Sequence, residues 1–517
     1  MKILPFLLAA LLPVGSLFAD VVLPAIISDH MVLKKAAGVP IWGKADPGES
    51  VTVTLGGSGE AKAVADADGR WKLTLDLSAS GPGPFQLKVA GKNQIAVSDV
   101  VVGEVWVASG QSNMEFPLKG AIDSAKEIEV AANPMVRQFL VARAESDVPA
   151  DDCRGVWTVA ASETAGAFSA VGYFFAKRLQ KELGEPVGLI KSSYGGTPGE
   201  AWMSREAVDS VPHLKEAREK ALNEEMTTGT PRTANATATA TTKPKVRPRV
   251  QKIPSILFNG MISPLVPYAI SGVIWYQGEA NTNRAWQYRS AFPLLIQDWR
   301  NQWKQGDFPF YFCQLANYQP KLPAPSESAW AELREAQTMT LKLTNTGQAV
   351  LIDIGESGDI HPRNKKDAGE RLGAVALANH YGKKILFSGP VYQSMKADGG
   401  KIRLAFKHAD GGLVAKPLPA TYDVKSKNSE TAPLVRNSPA SEVEGFAICG
   451  EDKKWVWADA KIDGNDVVVW SDNVPAPVAV RYAWADNPTC NLYNGAGFPA
   501  VPFRTDDFPA TTLDRKY

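Results

Sequence analysis

One serine in this chain stands where a nucleophile would. The apolar run Glu104 to Ser109 leads into Ser109-Gly110-Gln111-Ser112-Asn113-Met114-Glu115. A strand that stops at a glycine can turn tightly, which leaves the Ser112 hydroxyl at the strand's carboxyl end, exposed and open to activation. Alone, the same residue reads more simply as the N-cap of an ordinary βα loop. A hydroxyl attacks poorly until a base takes its proton, and histidine suits that task near neutral pH. The chain has 5 histidines, few enough to sort. His30 lies in an N-terminal β-patterned region, His408 in a C-terminal strand, His213 at the start of a charged helix and His380 late in an amphipathic one. His361 remains, in Gly358-Asp359-Ile360-His361-Pro362. Pro362 biases it toward extended backbone, holding it clear of the helix that follows.

A triad also needs a carboxylate to orient the imidazole. Asp359, two residues away, projects to the same side in an extended segment. Glu356 and Asp353 are rivals, and a carboxylate capping the following helix would look the same. Acyl transfer needs donors for the oxyanion as well. The Ser112 N–H supplies one; the glycine-rich turn Ser192-Ser193-Tyr194-Gly195-Gly196-Thr197-Pro198 offers the Gly196 N–H; and Trp275-Tyr276-Gln277-Gly278-Glu279-Ala280-Asn281 offers the Gln277 amide, with Glu279 and Asn281 in support. Each turn is unremarkable alone; their weight lies in facing one rim.

The elements that must bring these turns together alternate strand and helix from about Val102 to Phe387. Expected strands are Glu104 to Ser109, Val187 to Ser192, Gly272 to Tyr276, Pro309 to Leu315 and Ala349 to Ile354; expected helices are Val171 to Leu183, Trp286 to Trp303, Ala329 to Leu343 and Lys365 to Tyr381. Near-continuous apolar strands alternating with helices imply a parallel sheet covered on both faces, with ligands beyond the strands' carboxyl ends. On either side the rhythm is β. Val39 to Trp42, Ser50 to Leu55, Gly69 to Leu75 and Phe85 to Val89 alternate between turns as in a β-sandwich, and β patterning returns after Gly389. The expected division is a leader at 1–19, an N-terminal β domain at 20–101, a catalytic domain at 102–388 and a C-terminal β domain at 389–517.

Lys and Arg number 56 against 55 Asp and Glu, which leaves no basic field for nucleic acid or an anionic membrane. Met1-Lys2, the apolar run Ile3 to Leu12 and Ala19 before Asp20 have the form of a cleaved export signal, so an exported, periplasmic or secreted protein is expected. No later segment approaches the roughly 20 apolar residues of a membrane span. Residues 226–252, rich in Thr, Ala, Pro and basic side chains, are expected to form a flexible insertion. Cys153, Cys313, Cys449 and Cys490 form no CxxC pair, so no zinc site and no other cofactor is expected. Cys449 with Cys490 is the pair best placed for a disulfide, with free buried thiols the equal alternative.

At these residues the chain resembles the SGNH hydrolases, and within them the sialate O-acetylesterase group of carbohydrate esterases. The resemblance runs through Ser28-Asp29-His30-Met31-Val32-Leu33, Gly110-Gln111-Ser112-Asn113-Met114, Leu257-Phe258-Asn259-Gly260-Met261, Tyr276-Gln277-Gly278-Glu279-Ala280-Asn281, Asp359-Ile360-His361-Pro362, Tyr482-Ala483-Trp484-Ala485-Asp486-Asn487-Pro488 and Pro502-Phe503-Arg504-Thr505-Asp506. It implies a flavodoxin-like α/β catalytic domain flanked by N- and C-terminal β modules. It also implies Ser112 as nucleophile, His361 as base, and Ser112, Gly196 and Gln277 at the oxyanion. Two positions depart from the superfamily pattern: Gly358 stands where the Asp is usual, and Gln277-Gly278-Glu279 replaces the usual Asn block. The expected substrate is an O-acetylated sugar, sialic acid first and acetyl-xylan second. A non-catalytic carbohydrate-binding protein is the contrasting class; its 14 Trp would serve recognition, although many lie in strands and read more simply as core. An α/β-hydrolase is disfavoured, because no G-x-S-x-G elbow occurs.

Overall fold

The computed structural model describes residues 20–227, 250–425, 430–434, 436 and 441–517. The expected leader and most of the expected insertion lie outside these residues. The molecule is mixed α/β, with one large mixed sheet and several smaller separate ones.

The organising strand is β1, Gln94–Gly110. Its first half pairs antiparallel with Phe85–Ala90; its second half enters a parallel sheet. That sheet adds β2 (Asn133–Val141), β3 (Gly155–Ala160), β4 (Val187–Ser193), β5 (Gly272–Tyr276), β6 (Phe310–Gln314) and β7 (Thr346–Val350), in spatial order β7-β6-β5-β1-β4-β2-β3. All neighbours are parallel except β3, which runs antiparallel to β2 at the edge. The five strands that alternate with helices thus lie in the order second, first, third, fourth, fifth. The chain reverses its direction of travel across the sheet at β1, which is where such sheets place their ligand.

Helices α1 (Ser112–Glu115), α2 (Ala170–Leu183), α3 (Ala285–Trp303), α4 (Ala329–Met339) and α5 (Lys365–Asn379) connect these strands. Strand alternation sends successive side chains to opposite faces. Phe310 and Phe312 of β6 pack on Phe292 of α3. Tyr311 between them turns the other way, stacking on Trp106, which meets Phe175 of α2 and His380 beyond α5. Both faces are therefore covered, and every residue of β4, β5 and β6 is buried.

The expected strand Ala349 to Ile354 is shorter than its apolar run. β7 stops at Val350, the last residue paired with β6, and Ile352 leaves the sheet to pack in a second core formed by the C-terminal strands. β2 and β3 were not anticipated. Arg137 and Gln138 break the apolar rhythm of β2 yet are buried, the first donating to the carbonyls of His30 and Asp99, the second accepting from the Ser169 N–H. The N-terminal strands share one continuous core with the parallel sheet, whereas the C-terminal sheets gather around a separate one. Cys449 and Cys490 are not bonded to one another, and all four cysteines are free thiols.

Candidate active site

The turn after β1 is built to present Ser112. Gly110 has φ +128°, and a Cβ there would sit 2.2 Å from the Tyr276 carbonyl oxygen, so only glycine fits. The Gln111 N–H donates to that same carbonyl at 3.0 Å, fastening the turn to β5. Ser112 then opens the short helix α1, whose Met114 carbonyl accepts from the Ser169 hydroxyl at 2.6 Å. Glu115 closes α1 and accepts the Gly195 N–H at 3.1 Å, so the loop after β4 is held against the helix that Ser112 opens. Arg143 bonds the same carboxylate and lies 4.6 Å over the Tyr194 ring.

His361 reaches this turn from the far edge of the sheet. Its Nε2 lies 2.8 Å from the Ser112 Oγ, across 249 positions of sequence. On the other side of the ring, Nδ1 is 3.3 Å from Asp359 Oδ1, and the same oxygen accepts the His361 backbone N–H at 2.9 Å. The rival carboxylates are engaged elsewhere. Asp353 pairs with Arg371 and accepts from the Tyr493 hydroxyl, while Glu356 accepts the Arg363 backbone and side-chain N–H groups.

The two expected backbone donors belong to turns that adjoin one another. The Ser112 N–H, at the first position of a helix, has no intrahelical partner. Gly196 is exposed at φ +72°, and a Cβ built on its neighbour Gly195 would stand 3.3 Å from the Ser112 Cβ, so this loop abuts Ser112. Gln277, expected as a third donor, is bonded elsewhere in this structure. It is fully buried; both amide hydrogens are spent, on the Thr197 carbonyl at 3.1 Å and Asn281 Oδ1 at 2.8 Å, and its oxygen accepts from Tyr288. It holds the Gly196 loop from beneath. Asn281 extends the same support, accepting the Gly199 N–H and donating both its hydrogens to Glu200.

Glu279 supports the site by another route, and here the structure adds residues that had drawn no role from the sequence. Asn113, immediately after Ser112 and 1% exposed, donates to Glu279 Oε1 at 2.5 Å and to the carbonyl of Ile360, the residue before His361, at 3.0 Å. Its oxygen accepts from the Nζ of Lys365, which is fully buried between the rings of Phe116 and Tyr276. Burial draws the Lys365 ammonium down to about 7, against the attraction of Glu279, and raises the Glu279 carboxyl. Lysines and asparagines in loops ordinarily read as solvated, and no spacing rule marks these two as buried. Among the described residues, no group of three or more His, Cys, Asp or Glu side chains is arranged to hold a metal ion.

Comparison with known proteins agrees with this architecture. The family described as carbohydrate esterase, sialic acid-specific acetylesterase, matches residues 256–380. The sialate O-acetylesterase of Mus musculus is 33% identical over 92% of this chain and 93% of its own, and that of Homo sapiens is 30% identical over 92% and 91%. A carbohydrate acetylesterase from Xanthomonas citri superposes with a TM-score of 0.78 at 37% identity, covering 94% of this chain and all (100%) of that one. Together these define a carbohydrate esterase. The chain belongs to the sialate O-acetylesterase family.

Proposed function

We propose that this chain is a serine O-acetylesterase that removes acetyl groups from sialic acid, working on a flavodoxin-like SGNH-type domain. Ser112 Oγ attacks the acetyl carbonyl as His361 Nε2 takes its proton, with Asp359 steadying the imidazolium that forms. The Ser112 and Gly196 N–H groups receive the negative charge on the tetrahedral oxygen. Collapse breaks the ester C–O bond, and His361 returns the proton to the departing sugar hydroxyl. Water, deprotonated by the same imidazole, then attacks the acetyl-enzyme and releases acetate. The observation that carries this reading is the 2.8 Å contact between Ser112 and His361 with Asp359 at 3.3 Å behind the ring.

The test is acetate release from a panel of O-acetylated sialic acids and acetyl-xylo-oligosaccharides, run on wild type and Ser112→Ala. The variant is expected to fold normally and lose at least about 1000-fold in kcat/KM; full activity would remove Ser112 from the mechanism. Preference for the xylan oligomers would favour a second reading, a polysaccharide acetylesterase, which the likeness to the Xanthomonas citri carbohydrate acetylesterase supports. Binding of the sugars without turnover would favour the non-catalytic class. Residues 20–101, 102–388 and 389–517 form the N-terminal, catalytic and C-terminal regions of this reading. Residues 1–19 act in it as an export signal, so the exported protein is expected to begin at Asp20 on N-terminal sequencing. Among the described residues, no helix is long and apolar enough to cross a membrane.

A further inference from the structure

Lys365 is an improbable residue for its position on grounds of stability. It is fully buried, has one hydrogen-bond acceptor in reach among the described residues, and occupies the first position of α5, where the helix dipole disfavours a cation. Among the described residues no ion pair within 4 Å offsets its burial; the carboxylates of Glu279, Glu356 and Asp359 and the thiol of Cys313 act on it from longer range. A side chain kept at such cost calls for a use.

The use lies in what it touches. Asn113 has two donors and one amide oxygen, and all three are committed: the hydrogens to Glu279 and the Ile360 carbonyl, the oxygen to Lys365. The Ile360 carbonyl can only accept, so with Lys365 donating at one end and Glu279 accepting at the other the amide has a single orientation. In that orientation the residue after the nucleophile grips the residue before the base.

We propose that Lys365 is a positioning residue for the esterase reaction: it fixes the amide of Asn113, and through Asn113 sets the spacing between the Ser112 turn and the His361 loop. His361 has no strand to hold it, since β7 ended at Val350. The Asn113 contact to Ile360 ties its loop to α1, and Lys365 keeps that contact made. This inference rests on the Ser112–His361 reading above.

The test is an epistasis experiment on the full chain, with 4-nitrophenyl acetate as substrate. Lys365→Met is expected to lower kcat by about 10- to 100-fold, the scale of a slight misalignment of reacting groups, while KM changes less than about threefold. In an Asn113→Leu background the same substitution is expected to cost nothing further, because its effect passes through the amide already removed. Lys365→Gln, which keeps a donor without the charge, is expected to recover most of the loss. Multiplied losses in the double variant, or a Lys365→Met enzyme with wild-type kcat, would overturn the proposal. Should Lys365→Met fail to fold, Lys365→Leu, which also removes the donor, is measured in the wild-type and Asn113→Leu backgrounds and decides in the same way: a loss in the first with no added loss in the second supports the coupling, a multiplied loss refutes it. An inactive wild type would instead refute the esterase reading, so the two failures are distinguishable.

Discussion

Ser112, His361 and Asp359 form a line of three side chains, and what each neighbour does to the ring between them can be measured. Asp359→Asn should lower kcat by about 100- to 10,000-fold, because an amide cannot stabilise the imidazolium and favours the wrong tautomer. Glu356→Gln should cost less than about tenfold, since Glu356 bonds the Arg363 backbone rather than the imidazole; a reversed order in pre-steady-state or steady-state kinetics would exchange their roles. The meeting of Ser112 and His361 was legible because histidines are few and Ser112 directly follows a strand. The partners of Gln277 were not legible: residue type says that an amide has two hydrogens to give, but only packing says that Thr197 and Asn281 take them. Lys365 left no trace in the sequence, because a lysine four residues beyond a loop histidine is ordinarily solvated.

At the level of elements, the β1–α1 turn and the start of α5 carry the strain and the buried charge. Gly110→Ala should cost at least about 1–3 kcal/mol in denaturant titration, since the new methyl meets the Tyr276 carbonyl in a conformation alanine rarely adopts; an unchanged midpoint would mean the turn can relax. Removing both buried charges with Lys365→Met and Glu279→Gln should leave the melting temperature at or above that of wild type, because replacing such a pair by neutral side chains is often neutral or stabilising. Loss of activity alongside that stability would mark the pair as retained for alignment. The strands of the parallel sheet were readable where apolar runs were unbroken, as at Gly272 to Tyr276, which the structure forms in full. β2 escaped because its buried polar residues answer to partners distant in sequence, and β7 was overextended because an apolar run cannot announce which core it enters.

Across the whole molecule, a buried guanidinium is among the ties that fasten the C-terminal strands to the α/β region. Arg334 donates to the carbonyls of Leu315 and Ala316 after β6 and to those of Ala485 and Asp486 in the C-terminal region. Burial lowers its pKa to about 9. Arg334→Leu leaves those acceptors unsatisfied and should destabilise the protein by about 3–5 kcal/mol, read as a lowered calorimetric Tm. Asp506 makes the region acid-sensitive. Burial alone would raise its carboxyl, but hydrogen bonds and charge from Arg481, the charge of Arg504 and the Phe508 amide outweigh burial and hold it below the usual carboxylate value. A depressed carboxylate contributes stability that is complete above its unfolded value, near 4, and is lost as pH falls through the folded one. Asp506→Asn should therefore be less stable than wild type at pH 7 and lose less on going from pH 5 to pH 2. Such ties span more than a hundred residues, which is why the β rhythm of the C-terminal region was visible in sequence but its attachment was not.

The unbroken course of β1 has a last consequence. Because the strand that pairs with Phe85–Ala90 is the one that ends at Gly110, its two halves cannot be shifted independently. Deleting one residue from its middle would swap inward and outward side chains on one half or the other. Either the hydroxyl would be re-aimed, or the first sheet would expose its apolar face to water. Laboratory evolution of this enzyme should accordingly accept insertions in the loops beyond the strands' carboxyl ends long before it accepts a single change of length between Val97 and Ser109.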